Sequence, residues 1–349
     1  MKNSFLKKIK KGIVPVVVFI LLAVNSFAQD KTIKDMLDQG IKLYDNKDYT
    51  GAVELYKKIL VNNPKLPNAN YEIAASYFAL KDYENTIKHC KVVIEVNLLF
   101  ADQAFMLKGS AQDMQGKAQD AVKTYREGIG RFPKNHLLYY NLALTSFNLK
   151  DYKIADEAVM KSLKINPAHA SSHLLLGYSM SAQGHRVKCI LACSNFLILE
   201  PTGKRAVQAL DLMEKEFKND VQKEGDNSVS VTVPGQKEPD DFNTAELMLS
   251  LLETSNMNEA NKNKSSYELF TGNMKSLFTV LGELKKDNKG FWWDYYVDFF
   301  YTLSEKDHVE AFSYYISQSK KDNVIYKWLD DNKEKYNAFS DWYTGYKRK

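Results

Sequence analysis

Helix breakers and cysteines are scarce in this chain of 349 residues, which has 8 Pro, 16 Gly and 3 Cys. With so few breakers, most of the sequence is free to form helices. Three cysteines leave one unpaired however they combine, so no disulfide framework is implied. An excess of charge is missing as well. The formal net charge is +5, but Lys2, Lys7, Lys8, Lys10 and Lys11, with no acidic residue among them, all fall within residues 1–28. The rest of the chain is close to neutral, which argues against a nucleic-acid binder. The apolar run from Gly12 to Val24 has 13 residues, short of the ~20 needed to cross a hydrocarbon core. No catalytic motif stands out.

The basic start, the apolar run and the small residues Ser26 and Ala28 together form the pattern of a secretory signal over residues 1–28, cleaved before Gln29. No cysteine follows that region, so a lipid anchor is not indicated. The mature chain is expected in a bacterial envelope, most simply the periplasm, with no membrane span left. At 44% hydrophobic and 26% charged residues its composition is globular. Its length exceeds the roughly 100–200 residues of one domain, so two domains are expected.

Two sets of markers share a period. Lys-Asp-Tyr stands at 47–49, 81–83 and 150–152, and prolines at 64, 133, 167 and 201. Successive markers are 34 or 69 residues apart, which is a repeat of 34 with one extra residue. With these prolines at position 32, units begin at Ile33, Pro67, Asp102, His136 and Ala170. Position 8 is then Gly40, Ala74, Gly109, Ala143 and Gly177, and position 20 is Ala52, Thr86, Ala121, Ala155 and Cys189. Small residues recurring in phase fit helices that cross closely. Over residues 33–203 the chain resembles the tetratricopeptide repeat family, whose 34-residue unit is a helix-turn-helix. Leu98 stands where the second unit would have proline, and position 4 varies as Met36, Asn70, Phe105, Tyr139 and His173.

Cys189 at position 20, with Cys90 and Cys193 at position 24, falls in the seam of each helix pair, where a cysteine serves as a small apolar residue. A metal or redox role for Cys189 and Cys193 is the lesser alternative. His169 and His173 stand four apart, but His169 belongs to the turn after Pro167 and no third ligand is in register. No metal or cofactor is expected.

The resemblance implies that the first helix of each unit lines a concave wall where partners bind, with positions 5, 9 and 12 facing it. These positions are Leu37, Ile41 and Tyr44; Tyr71, Ala75 and Phe78; Met106, Ser110 and Asp113; Tyr140, Leu144 and Phe147; and Leu174, Tyr178 and Ser181. One family member holds a peptide's terminal carboxylate with Lys at position 5 and Asn at position 9 of its first unit. Leu37 and Ile41 occupy those places, so that clamp is not expected. The predicted partner-binding residues are Tyr44, Tyr71, Phe78, Met106, Asp113, Tyr140, Phe147 and Tyr178, against a protein or peptide segment with apolar anchors. The opposing possibility is that the chain fills this track itself.

A capping helix is expected over Arg205–Lys218, with Ala206, Leu210 and Leu212 set against Glu214 and Glu216. Residues 219–241 are polar, with Gly225, Pro234 and Pro239, and read as a flexible linker carrying at most a short strand at Val229–Val233. Residues 242–349 hold all four tryptophans and 22 of the 43 aromatic residues, and about five helices fit there. Within FWWDYYVDFFY, residues 291–301, a projection at ~100° per residue puts Trp292, Tyr296, Phe299 and Leu303 on one stripe and Asp294, Asp298 and Glu305 opposite. So wide an apolar arc suits the central helix of a bundle, and the two carboxylates are expected in water. The closing Lys-Arg-Lys is read as a solubilising tail.

The expected fold is all-α, a tetratricopeptide-type solenoid of five helical pairs plus a cap (residues 29–218), a linker (219–241) and a helical bundle (242–349). The expected function is that of a non-enzymatic envelope scaffold or adaptor. A glycan-binding module that uses the C-terminal tryptophans is the second reading, and an envelope hydrolase the third.

Overall fold

The computed structural model describes residues 31–96, 99–218, 221–223, 229–231, 241–256 and 261–348. The expected signal segment, Leu98 and most of the expected linker lie outside these residues. Helix α1 covers 31–45. It is followed by α2 (Tyr49–Asn62), α3 (Pro67–Ala79), α4 (Tyr83–Val96), α5 (Ala101–Met114), α6 (Ala118–Arg131), α7 (His136–Asn148), α8 (Tyr152–Ile165), α9 (Ala170–Gln183), α10 (Arg186–Leu199) and α11 (Lys204–Lys218). The first ten form the five helical pairs that the 34-residue period predicts, and α11 follows as the cap. The fold is a tetratricopeptide-type α-solenoid followed by a helical bundle. The chain divides into two compact units, one ending at Thr145 and one beginning at Ser146.

Lys-Asp-Tyr marks a turn with one geometry. Lys47, Lys81 and Lys150 have left-handed backbones, with φ of 65°, 62° and 60°, and the matching residues in the other two units are Gly116 at 76° and Gly184 at 81°. Only glycine adopts this conformation without steric cost. The following aspartate caps the second helix. Asp48 accepts from the Gly51 N–H at 2.9 Å, Asp82 from Asn85 at 3.1 Å and Asp151 from Ile154 at 3.2 Å. The tyrosine then packs its ring on the position 12 aromatic, as Tyr44 with Tyr49 at 5.1 Å, Phe78 with Tyr83 at 5.6 Å and Phe147 with Tyr152 at 5.9 Å.

The helix crossings are as close as the small residues imply. A Cβ on Gly40 would stand 2.4 Å from the Tyr56 ring, one on Gly109 2.4 Å from Tyr125, and one on Gly177 2.6 Å from Cys193 Sγ. Position 24 thus fills the space that position 8 leaves. Cys90, Cys189 and Cys193 are all fully buried free thiols, and burial pushes the Cys90 thiol up to about 12.

In the second unit α10 and α11 carry the rest of the chain. Val221–Lys223 pairs antiparallel with Val229–Val231, so the short strand expected at Val229 has a partner upstream. Beyond it come α12 (Asn243–Asn256), α13 (Ser266–Leu284), α14 (Asp298–Glu305), α15 (Val309–Ile316), α16 (Asn323–Asp331) and α17 (Lys333–Gly345). A full capping box starts α13, where Ser265 and Glu268 each accept from the other's backbone N–H. Arg186, 2% exposed, ties three helices together. It donates to the carbonyls of Glu216 at 2.9 Å and Phe217 at 3.4 Å and to Ser250 Oγ at 3.1 Å. Glu216, expected on the wet side of the cap, is buried instead and accepts from Ser181 Oγ at 2.6 Å.

The aromatic stretch departs from its projection because Trp292–Val297 is π-helical. The Asp298 N–H reaches back five residues, to the Trp293 carbonyl. The wider turn rotates the side chains that follow it. Trp293, Tyr295, Tyr296, Val297, Phe299, Phe300 and Leu303 are buried, while Trp292 is half-buried. The stretch is nevertheless the centre of the bundle, with Phe300 against Phe278 at 4.7 Å and Phe312 at 5.7 Å. The α14–α15 connection reuses the repeat turn, with Asp307 at φ 55° and the His308 N–H on the Leu303 carbonyl at 3.0 Å.

Candidate functional site

In the first unit the predicted binding residues all belong to first helices and none is fully buried. Tyr44, Tyr71, Phe78, Met106, Asp113 and Tyr140 are half-buried. Ile41 is 39% exposed and Leu144 37%. On a helix with a packed opposite face, such residues form an apolar stripe left partly to solvent. Two tyrosines are braced by other rings. Tyr71 stacks on Phe100 at 5.1 Å with the planes 10° apart, and Tyr44 leans on Tyr49. Met106 lies one turn ahead of Gly109 on α5. Asp113 is already committed, accepting from Thr145 Oγ1 at 2.5 Å, so it serves the packing of α5 as well as the face.

The charge on this stripe is acidic where it is most enclosed. Glu72, next to Tyr71, has its carboxyl raised chiefly by burial and then by the like charge of Asp45. Burial also pushes the Tyr71 hydroxyl up to about 12. Leu37 is half-buried beside the exposed Ile41, so the two places that hold a terminal carboxylate in the family's clamp are apolar here. Sequence reasoning passed over Glu72 because it sits at position 6, outside the positions 5, 9 and 12 that the resemblance supplied.

In the second unit Phe147 and Tyr178 are half-buried. Phe147 packs on Tyr152, and burial raises the Tyr178 hydroxyl. The fifth pair is joined to the bundle rather than left bare. His173, fully buried, contacts the Pro167 carbonyl through Nε2 at 2.9 Å and the Tyr296 hydroxyl through Nδ1 at 2.6 Å. Burial lowers its pKa to about 3, so the ring is neutral. It is a structural link, and among the described residues no group of three potential ligands is suited to a metal. Asn70, at the same repeat position, bonds the Pro64 carbonyl at 3.0 Å.

The chain end does more than confer solubility. The Arg348 guanidinium lies 4.3 Å from the Tyr295 ring centre and 4.5 Å from that of Phe299, and donates to the carbonyl of Tyr295 at 2.5 Å and to Asn195 Oδ1. A cation between two ring faces is held both by charge and by packing. Asp298, expected in water, is half-buried, paired with Lys285 and accepting from the Tyr346 hydroxyl at 3.0 Å. Asp294 is exposed and accepts from the Gly290 N–H at 3.0 Å. The two carboxylates therefore stand in different surroundings, but the Asp298 interactions hold the bundle together. The tryptophans are occupied by neighbouring rings: Trp293 with Phe242 at 4.4 Å, Trp328 with Tyr314 at 4.2 Å, and Trp342 with Phe299 at 5.3 Å.

Residues 137–169, spanning α7 and α8, match the family model of the tetratricopeptide repeat. A small glutamine-rich tetratricopeptide repeat-containing protein 2 of Mycosarcoma maydis is 29% identical over 111 residues, which are 32% of this chain and 31% of that protein. Its namesake in Saccharomyces cerevisiae is 26% identical over 161 residues, 44% of this chain and 45% of that one. The Hsp70-Hsp90 organizing protein 2 of Arabidopsis thaliana is 28% identical over 29% of this chain and 18% of its own length. The chain thus spans less than half the length of each of these relatives. Among solved structures, pilF of Pseudomonas aeruginosa aligns with a TM-score of 0.46 at 15% identity, covering 54% of this chain and 90% of that one. A thermophilic repeat protein of Thermus thermophilus aligns with a TM-score of 0.43 at 16% identity, covering 52% and 99%. The family match falls on α7–α8, and the left-handed residue of the turn recurs in all five pairs.

Proposed function

We propose that this tetratricopeptide repeat chain is a non-enzymatic adaptor of the bacterial envelope, and that its first-helix face between Leu37 and Leu144 holds a segment of a partner protein. The observation that carries this reading is the run of half-exposed apolar side chains on successive first helices: Ile41, Tyr44, Tyr71, Phe78, Tyr140 and Leu144. Such a stripe suits an extended or helical segment with apolar anchors. Glu72 and Asp45 favour a partner that places a basic side chain between those anchors, because a cation would offset the burial and, secondarily, the like charge of Asp45 that raise the Glu72 carboxyl. Placement in the envelope rests on the signal pattern of residues 1–28.

The test is capture of partners from a crosslinked envelope extract, comparing the wild type with an Ile41→Ser, Tyr140→Ala double variant. A partner lost from the variant while helical circular dichroism is unchanged supports the reading. Equal capture by both proteins removes this face from the mechanism.

A further inference from the structure

A cavity of about 250 Å³ lies in the second unit among α11, α12, α13 and the turn Gln318–Lys320. Its aromatic wall is formed by Phe217 and Phe270, which meet edge to face at 6.0 Å, and by Tyr267. Its lining carries both signs of charge: Lys320 is paired with Glu214, Glu253 accepts from Asn256 Nδ2 at 3.2 Å, and Lys218 stands at the rim. The telling residue is Asn273, only 7% exposed. Its Oδ1 accepts from Asn256 Nδ2 at 3.2 Å, yet its own amide nitrogen has no acceptor among the described residues and is not among the sealed, unpartnered atoms. It therefore opens on the cavity that the residue lines. The Ser266 hydroxyl lines the same space and is likewise uncommitted.

We infer that this cavity binds a neutral sugar ring. A charged ligand of either sign would meet like charge in the lining, Glu214 and Glu253 against an anion and Lys218 and Lys320 against a cation. A wholly apolar ligand would cover the Asn273 donors and leave them unmade. A pyranose meets both demands, with a C–H face to lie on the Phe270 and Tyr267 rings and hydroxyls that both donate and accept. This site is separate from the first-helix face of the adaptor reading and contains no tryptophan.

The experiment uses the full chain, with saturation-transfer NMR and calorimetric titration of glucose and N-acetylglucosamine as probes and open-chain mannitol as the control. The expected result is saturable binding of at least one pyranose and none of mannitol. Asn273→Ala and Phe270→Ala should each weaken it by about tenfold or more. Both residues pack in the unit, so Ser266→Ala serves as a variant that leaves the Ser265 cap intact; it should also bind more weakly while melting as the wild type does. Any one of three results overturns the proposal: no pyranose binding up to about 20 mM, well beyond a weak millimolar site; mannitol binding as strongly as the pyranose; or unchanged affinity in Ser266→Ala and Asn273→Ala.

Discussion

Replacing Gly109 with alanine tests the packing rule of the repeats, because two opposing effects of known size meet at one atom. The new Cβ would stand 2.4 Å from Tyr125 Cε1 and 2.5 Å from Cζ, inside contact distance, and Tyr125 is only 2% exposed. Such overpacking costs about 1–3 kcal/mol. Alanine in place of glycine within a helix returns about 1 kcal/mol. The net effect in the native background is destabilising, by up to about 2 kcal/mol. In a Tyr125→Cys background the obstacle is gone and the same change should stabilise by about 1 kcal/mol. The second repeat already uses that pairing, with Ala74 and Cys90 both fully buried. Urea unfolding of the four proteins in a double-mutant cycle reads the coupling, expected at about 1–3 kcal/mol. Alanine stabilising equally in both backgrounds would refute the reasoning.

Three further outcomes are expected. Lys81→Gly should raise urea resistance by up to about 1 kcal/mol, since it relieves a left-handed lysine at φ 62°, whereas Lys81→Val should lower it. Arg186→Leu leaves the Glu216 and Phe217 carbonyls and Ser250 without their buried donor, so about 1–3 kcal/mol of stability should be lost for each acceptor left unpaired, with the earliest loss of amide protection in α12. His173 is neutral when folded, its pKa lowered to about 3, while its unfolded value is about 6.5. The unfolded chain therefore takes up the proton first, and stability falls as pH drops below about 6.5 towards the folded value. His173→Gln should make the slope of stability against pH between pH 6 and 4 shallower by up to about 1.4 kcal/mol per unit.

The repeats could be read from the sequence because their markers report local geometry. Lysine, aspartate and tyrosine each have one task within a single turn, as the left-handed residue, the cap and the ring against position 12. Small residues at positions 8 and 20 record crossings between adjacent helices, so a fixed period carries them. The half-exposed apolar stripe on the first helices follows the same period. The bundle was expected as a set of helices, but its packing was not legible, because its decisive contacts join residues far apart and follow no period. His173 meets Tyr296 across 123 positions and Arg348 meets Asn195 across 153. Composition gives no sign that a terminal arginine will lie between two rings. The π-helical turn at Trp292–Val297 defeats any projection made at a constant angle, since it changes the angle midway. Asn273 was equally hidden: a lone asparagine in an apolar helix becomes telling only once its neighbours and its unused donor are known.

The claim that matters most is that the first-helix face holds the partner. Site-specific photo-crosslinking in the native envelope addresses it, with the reactive side chain placed at Ile41 or Leu144 on that face and at Val61 on a second helix, where exposure is 77%. The account predicts one shared adduct from positions 41 and 144 and none from 61. Adducts from 61 alone, or the same adduct from all three positions, would contradict it.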